Sequence, residues 1–242
     1  MTIQETKYFT ILPWDSELFG FHVARLHPEC ISGKRLDKTV AALKADKIRL
    51  AYATLPWSDD KGRALLNKAG ASMVDRKVLF KKRLSSRVGT PEGVEIWPSP
   101  DCSLELEALA LASGHFSRFL LDPQIPRHVF PNMYVRWIQR SVRGEIADAV
   151  LVAKEAGDLA GMVTLAINGE LGNIGLIAVA EEYRGRGIGR RLMVAAEAFC
   201  ATRKSKWLKV VTQGTNQGAC ALYTACGFEL AEEYAVYHIW VA

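Results

Sequence analysis

A chain of 242 residues, 49% hydrophobic and 24% charged, has the composition of an ordinary globular protein that buries a sizeable core. No apolar run reaches the ~20 residues needed to span a bilayer. Met1-Thr-Ile-Gln-Glu-Thr-Lys-Tyr8 lacks the basic-then-apolar order of a signal peptide, so a cytoplasmic location is expected. The formal net charge of +5 is uneven, with a basic excess in residues 1–88 and a slight acidic excess afterwards. Such an excess attracts anionic ligands, but the basic residues are scattered and no nucleic-acid-binding motif is present. Neither nucleic acid nor membrane is an expected partner.

In chain order, apolar alternation predicts strands at 7–12, 20–26, 48–54 and 72–84, with helical patterns at 34–46 and 59–69 between them. The Ser/Gly/Pro-containing stretch 85–93 reads as a linker, dividing residues 1–88 from 89–242. A short strand at 93–97, a helix at 101–113, an irregular Pro-rich segment at 121–131 and a helix at 132–143 follow. Strands at 148–155, 159–168 and 171–180, joined by tight turns at Ala156-Gly-Asp158 and Asn168-Gly169, form an antiparallel meander. Helix 187–203, strand 206–213, helix 216–226 and strand 228–240 finish the chain. The expected fold class is α/β of the α+β type: a mixed, mainly antiparallel sheet flanked by helices.

Tyr183-Arg184-Gly185-Arg186-Gly187-Ile188-Gly189-Arg190-Arg191 lies between the third meander strand and an amphipathic helix. A strand–glycine loop–helix junction aims unsatisfied backbone N–H groups and the positive helix end at one spot. Glycines let the backbone approach a ligand there, and Arg184, Arg186, Arg190 and Arg191 add positive charge. The loop therefore reads as a pyrophosphate cradle. It is not the dinucleotide fingerprint G-x-G-x-x-G, and no G-K-[ST] of a P-loop follows. The five cysteines, Cys30, Cys102, Cys200, Cys220 and Cys226, include no C-x-x-C and no zinc spacing, so reduced core thiols and no metal are expected.

Residues 148–240 resemble the GCN5-related N-acetyltransferase family through strand Gly175-Leu-Ile-Ala-Val179, loop Arg184-Gly-Arg-Gly-Ile-Gly189, Asn216, Tyr223 and Gly227-Phe228. The resemblance implies acetyl-CoA as co-substrate. Ile177, Ala178 and Val179 would present a backbone edge to the pantetheine arm. Arg184, Gly185, Arg186, Gly187, Ile188, Gly189 and Arg190 would wrap the pyrophosphate, Asn216 would hydrogen-bond the cofactor, and Tyr223 would stand near its sulfur. Further stretches are similar to the dTDP-fucosamine acetyltransferases: Pro13-Trp-Asp-Ser-Glu-Leu-Phe-Gly20, Gly70-Ala-Ser-Met-Val-Asp75, Ser117-Arg-Phe119 and 133–144. They imply a dTDP-linked 4-amino-4,6-dideoxy sugar as acceptor, an N-terminal domain that helps to bind it, and allow a homodimer.

Acetyl transfer requires a neutral amine, an oxyanion donor and a proton for the departing thiolate. Tyr223 is the expected acid, and a backbone N–H near Ile177 or Val179 the oxyanion donor. Leu171 to Ala180, the strand before the loop, has no carboxylate, so either the base comes from elsewhere or the amine arrives neutral. Asp75, acting through water, fits a glutamate of the similar enzymes; Glu170, His115 and His128 compete. Arg118 is the expected contact for the sugar nucleotide's diphosphate, with Arg127, Arg136 and Lys77 as alternatives. Trp14, Phe19 and Phe119 are candidates to pack on the base or the hexose.

Overall fold

The computed structural model describes residues 5–85, 89 and 91–241. The chain forms two compact units: one holds residues up to Lys77 with Leu121–Val129 and the chain from Glu232, the other Val78–Leu120 and Phe130–Ala231. The linker expected at 85–93 falls partly outside the described residues. The strands are mixed, mainly antiparallel and flanked by helices, as the sequence predicts.

The first unit contains β1 (Phe9–Ile11), α1 (Pro13–Phe19), β2 (Val23–Leu26), α2 (Gly33–Ala45), β3 (Leu50–Pro56) and α3 (Asp60–Lys68). It also contains the first half of β4 (Ser72–Arg83) and most of β10 (Glu229–Trp240). Its strands order as β1-β2-β3-β10-β4, with β2 and β3 parallel and β10 antiparallel to β3. Phe9, Leu36, Leu43, Leu66, Ala235 and Tyr237 are among the residues of its core. Helix α1 is absent from the sequence reading. It opens with Pro13 in its first turn and closes at Gly20, whose φ of 73° lets its N–H reach the Ser16 carbonyl. That is the usual proline-in, glycine-out arrangement, compressed into seven residues.

The second unit contains β5 (Val94–Ile96), α4 (Leu104–Ser113), α5 (Arg118–Leu121, to Leu120) and α6 (Val129–Val142, from Phe130). There follow β6 (Ala149–Glu155), β7 (Asp158–Asn168), β8 (Leu171–Val179), α7 (Ile188–Thr202), β9 (Trp207–Gln213) and α8 (Gln217–Ala225). Helix α5 ends and α6 begins inside the segment predicted as irregular at 121–131, leaving only 122–128 of it outside a helix. Strands order as β4-β9-β8-β7-β6-β5, with the expected antiparallel meander β6–β8 and a parallel β8–β9 pair. Helix α7 buries Ile188, Leu192, Ala195, Ala196 and Phe199, spaced for one helical face, against Leu151, Val163, Leu165 and Ile174.

Candidate active site

The site begins with a counting mismatch between two strands. Leu165 pairs with Ile174 and Val163 with Ile177, so Thr164 alone faces both Gly175 and Leu176. This is a β-bulge, which bends the strand that carries the extra residue. The buried Thr164 hydroxyl accepts the Leu176 N–H at 2.8 Å, standing in for a ladder carbonyl. A Cβ on Gly175 would lie 2.8 Å from the same hydroxyl, so only glycine fits. The extra residue also returns Ile177 and Val179 to the core side that Ile174 faces.

Beyond the bulge β8 and β9 separate. Their parallel pairing runs from Leu171↔Trp207 to Ile174↔Val210 and stops, although β8 continues to Val179 and β9 to Gln213. Leu176 and Ala180 direct their N–H groups to β7, so by alternation the polar groups of Ile177 and Val179 point to the β9 side. Ile177 and Val179 thus present unpaired main chain on the side where the β8–β9 pairing has ended. Ala178 belongs to the β7 side, its carbonyl close to Gly161.

The loop after β8 leads into α7 through two glycines. Gly185 and Gly187 have φ of 76° and 78°, conformations costly for residues with a Cβ. Gly187 caps α7 without any side-chain capping bond, and the first amide returning to it is that of Arg191. The amides of Ile188, Gly189 and Arg190 are therefore the helix's orphan donors. Ile188 is 1% exposed and anchors the helix start in the core, so its contribution is its main chain. A Cβ on Gly189 would stand 3.1 Å from Leu222. Arg184, Arg186 and Arg190 are exposed around the loop. Arg184 reaches back to the Val179 carbonyl at 3.3 Å, and Arg186 to that of Glu182 at 3.1 Å. Arg191, counted with them in the sequence, is instead half-buried in an ion pair with Glu155.

Asn216 and Tyr223 occupy one helix, as predicted. The Asn216 Oδ1 caps α8 by accepting the Ala219 N–H at 3.2 Å, which leaves the amide NH2 as a donor. Tyr223, two turns on, is 2% exposed and packs against Phe80 and Phe228, ring centroids 5.6 and 6.3 Å away. Burial pushes its phenol well above the ordinary tyrosine value. Lys82 fixes this helix: its Nζ donates to both oxygens of buried Glu197, at 2.6 and 2.7 Å, and to the Cys226 carbonyl at the end of α8. A cation there satisfies a helix-end carbonyl and opposes the negative end of the dipole. Burial raises Cys200 to about 11 and also raises Cys226, so neither thiol is a ready nucleophile at neutral pH.

The remaining candidates belong to both units. Asp75 is buried on β4, and half-buried Trp14 lies on α1, both in the first unit. Arg118 and Phe119 lie in the second, with the guanidinium 4.2 Å from the ring centroid. Among the alternative bases, Glu170 pairs with Lys206 at 2.5 Å on the surface, and His115 and His128 are exposed. Among the alternative cations, Arg127 and Arg136 are exposed and Lys77 is half-buried. The bulge went unread although Gly175 interrupts an apolar run, which is its local signal. Also unread was buried His238, whose Nδ1 lies 2.6 Å from Asp122.

This geometry has counterparts in known proteins. Residues 118–228 match the acetyltransferase (GNAT) family. The spore coat polysaccharide biosynthesis protein SpsD of Bacillus subtilis (strain 168) is 28% identical over 152 residues, 62% of this chain and 52% of that protein. The mycothiol acetyltransferase of Tsukamurella paurometabola is 36% identical over 67 residues, 28% of this chain and 23% of the relative. The chain thus spans about half the length of the first relative and about a quarter of the second. A GCN5-related N-acetyltransferase from Sphaerobacter thermophilus shares the fold with a TM-score of 0.63 and 17% identity, over 96% of this chain and 76% of that one. A parted strand pair, a glycine loop and a buried tyrosine lie in one unit, and residues 118–228 match the acetyltransferase (GNAT) family, whose members take the acetyl group from acetyl-CoA.

Proposed function

We propose that the protein transfers the acetyl group of acetyl-CoA to the amine of a nucleotide-linked amino sugar, a dTDP-4-amino-4,6-dideoxy sugar, in a ternary complex. The observation that carries the transfer chemistry is the parting of β8 and β9 beyond Ile174 and Val210, next to the uncapped start of α7. The pantetheine lies along Ile177 and Val179, and the pyrophosphate in the loop Arg184–Arg190. For the acceptor, support comes from the likeness to a protein named for polysaccharide biosynthesis, which covers 152 residues.

In this reading residues 1–88 help to recognise the acceptor. Arg118 binds its diphosphate, and Trp14 and Phe119 pack on the base or sugar ring. An alkyl amine with a pKa near that of lysine, ~10.4, is mostly protonated at neutral pH. Asp75 removes that proton through a water molecule. The amine nitrogen then attacks the thioester carbonyl, and an amide of the β8 edge donates to the oxyanion. As the C–S bond breaks, the carbonyl re-forms and the electron pair leaves on sulfur; the Tyr223 hydroxyl gives its proton to the thiolate and is restored by the proton that the attacking nitrogen loses in becoming the amide. Because burial holds the phenol protonated, the donor is in place at every pH at which the amine reacts.

A second reading, transfer to another small amine, draws on the likeness to a mycothiol acetyltransferase. A mass-shift screen of nucleotide-linked amino sugars and unlinked amines with acetyl-CoA separates the two. The proposal expects a gain of one acetyl group on a dTDP-amino sugar. Acetylation confined to unlinked amines overturns it in favour of the second reading.

A further inference from the structure

Asp122 lies in the first unit, in the non-helical stretch before α6, and its carboxylate is fully engaged. Oδ1 accepts the Gln124 N–H at 2.9 Å, an Asx-type turn that fixes the local chain. Oδ2 takes the His238 Nδ1 at 2.6 Å and the Trp240 Nε1 at 3.2 Å. An ionised carboxylate only accepts, so Nδ1 carries the proton in this contact. His238 is 0% exposed and Asp122 9%. In such surroundings a satisfied polar cluster holds a defined geometry, and losing one partner leaves a costly orphan.

Two arms run outward from this carboxylate, and both end on α1. In the first, the His238 ring lies against Tyr52, with centroids 5.2 Å apart and a tilt of 33°, and the Tyr52 hydroxyl donates to Asp15 at 3.2 Å. Asp15 is in the first turn of α1, beside Trp14. In the second arm, Trp240 meets Phe21 edge-on at 6.2 Å, and Phe21 meets Phe19 at 5.4 Å. Phe19 is the last residue of α1, and Arg49 covers Phe21 from 4.4 Å. A helix of seven residues has little stability of its own. Its first turn and its last residue are both tied to one carboxylate more than a hundred residues away in sequence.

We infer that Asp122, with His238 and Trp240, is a positioning node that holds α1 in place as the acceptor-recognition helix. The inference rests on the proposed reading of Trp14 as an acceptor contact. It assigns none of these three residues to the transfer chemistry itself. Asp122 sets the two arms, and α1 carries Trp14 to the acceptor.

Hydrogen exchange and steady-state kinetics on the full chain test it, in wild type and in the Asp122→Asn, His238→Gln and Trp240→Phe variants. Exchange of the α1 amides is expected to quicken at least tenfold for Asp122→Asn and His238→Gln, and less for Trp240→Phe, with α7 and α8 unchanged. The KM for the best acceptor found in the screen is expected to rise tenfold or more, with kcat within threefold and acetyl-CoA Kd within twofold. Unchanged α1 exchange overturns the node. Faster exchange with an unchanged acceptor KM overturns its role in recognition, and parallel loss of acetyl-CoA affinity reduces it to general stability. Should Asp122→Asn fail to fold, the milder Trp240→Phe decides by the same readouts. Should the best acceptor carry no nucleotide, the substrate reading fails while the node is still scored on that acceptor.

Discussion

The two units use different materials for their special features. In the second unit the donor apparatus is mostly main chain: an extra residue in β8, two glycines with positive φ, and the orphan amides opening α7. In the first unit the notable cluster is made of side chains from α1, β3, β10 and the Asp122 turn. Main-chain devices are specified by residues next to one another in sequence. Side-chain clusters are specified by residues that meet only after folding. A cofactor common to many enzymes suits the first kind of construction, since a backbone edge recognises an amide-bearing arm whatever side chains flank it. A variable acceptor suits the second, where single substitutions alter the fit.

Mutations can break or sharpen that contrast. The largest effect is expected at Tyr223, the proposed acid. Tyr223→Phe should lower kcat by about a hundredfold, the lower end of the usual range for a general acid, with acetyl-CoA Kd unchanged by calorimetry. Since burial raises this phenol, an activity that needs its proton should not decline on the basic side up to about pH 10, where an ordinary tyrosine begins to ionise. A decline between pH 8 and 9 that disappears in Tyr223→Phe would contradict that assignment.

A smaller effect, about tenfold in kcat at pH 6.5, is expected from Asp75→Asn. Removing a base hurts most where the amine is most protonated, so the loss should shrink toward pH 9. A pH–rate profile parallel to wild type would move the base role away from Asp75. The smallest effect is expected from Gly187→Ala. The left-handed conformation then costs about 1 kcal/mol, which corresponds to about fivefold weaker acetyl-CoA binding if the loop relaxes to avoid it. Wild-type affinity in that variant would mean that the cradle's backbone conformation is not needed for the pyrophosphate.

The same division explains what could be read from the sequence. The strand–loop–helix at 171–203 is legible because glycines, apolar alternation and helical spacing sit within about thirty residues. That Asn216 and Tyr223 lie two turns apart along one helix follows from helix geometry, while their roles come only from the resemblance. The role of Arg191 is not legible, because its partner Glu155 lies on a different strand. Helix α1 carries readable end signals in Pro13 and Gly20, but seven residues give too short a period to recognise. His238 reads as one more residue of a terminal strand. Nothing near it in sequence announces Asp122, 116 residues earlier.

The bulge at Thr164 has a consequence for how the protein tolerates change. Its slot for the donor is encoded by length, one residue more on β8 than on the facing stretch of β7. Exchanging side chains along the edge leaves that surplus intact. Deleting Gly175 would remove it, and with it the local bend of β8, while every arginine of the loop stayed in place. On the proposed reading, the edge offered to acetyl-CoA is therefore more vulnerable to a single lost codon than to most substitutions in the same strand.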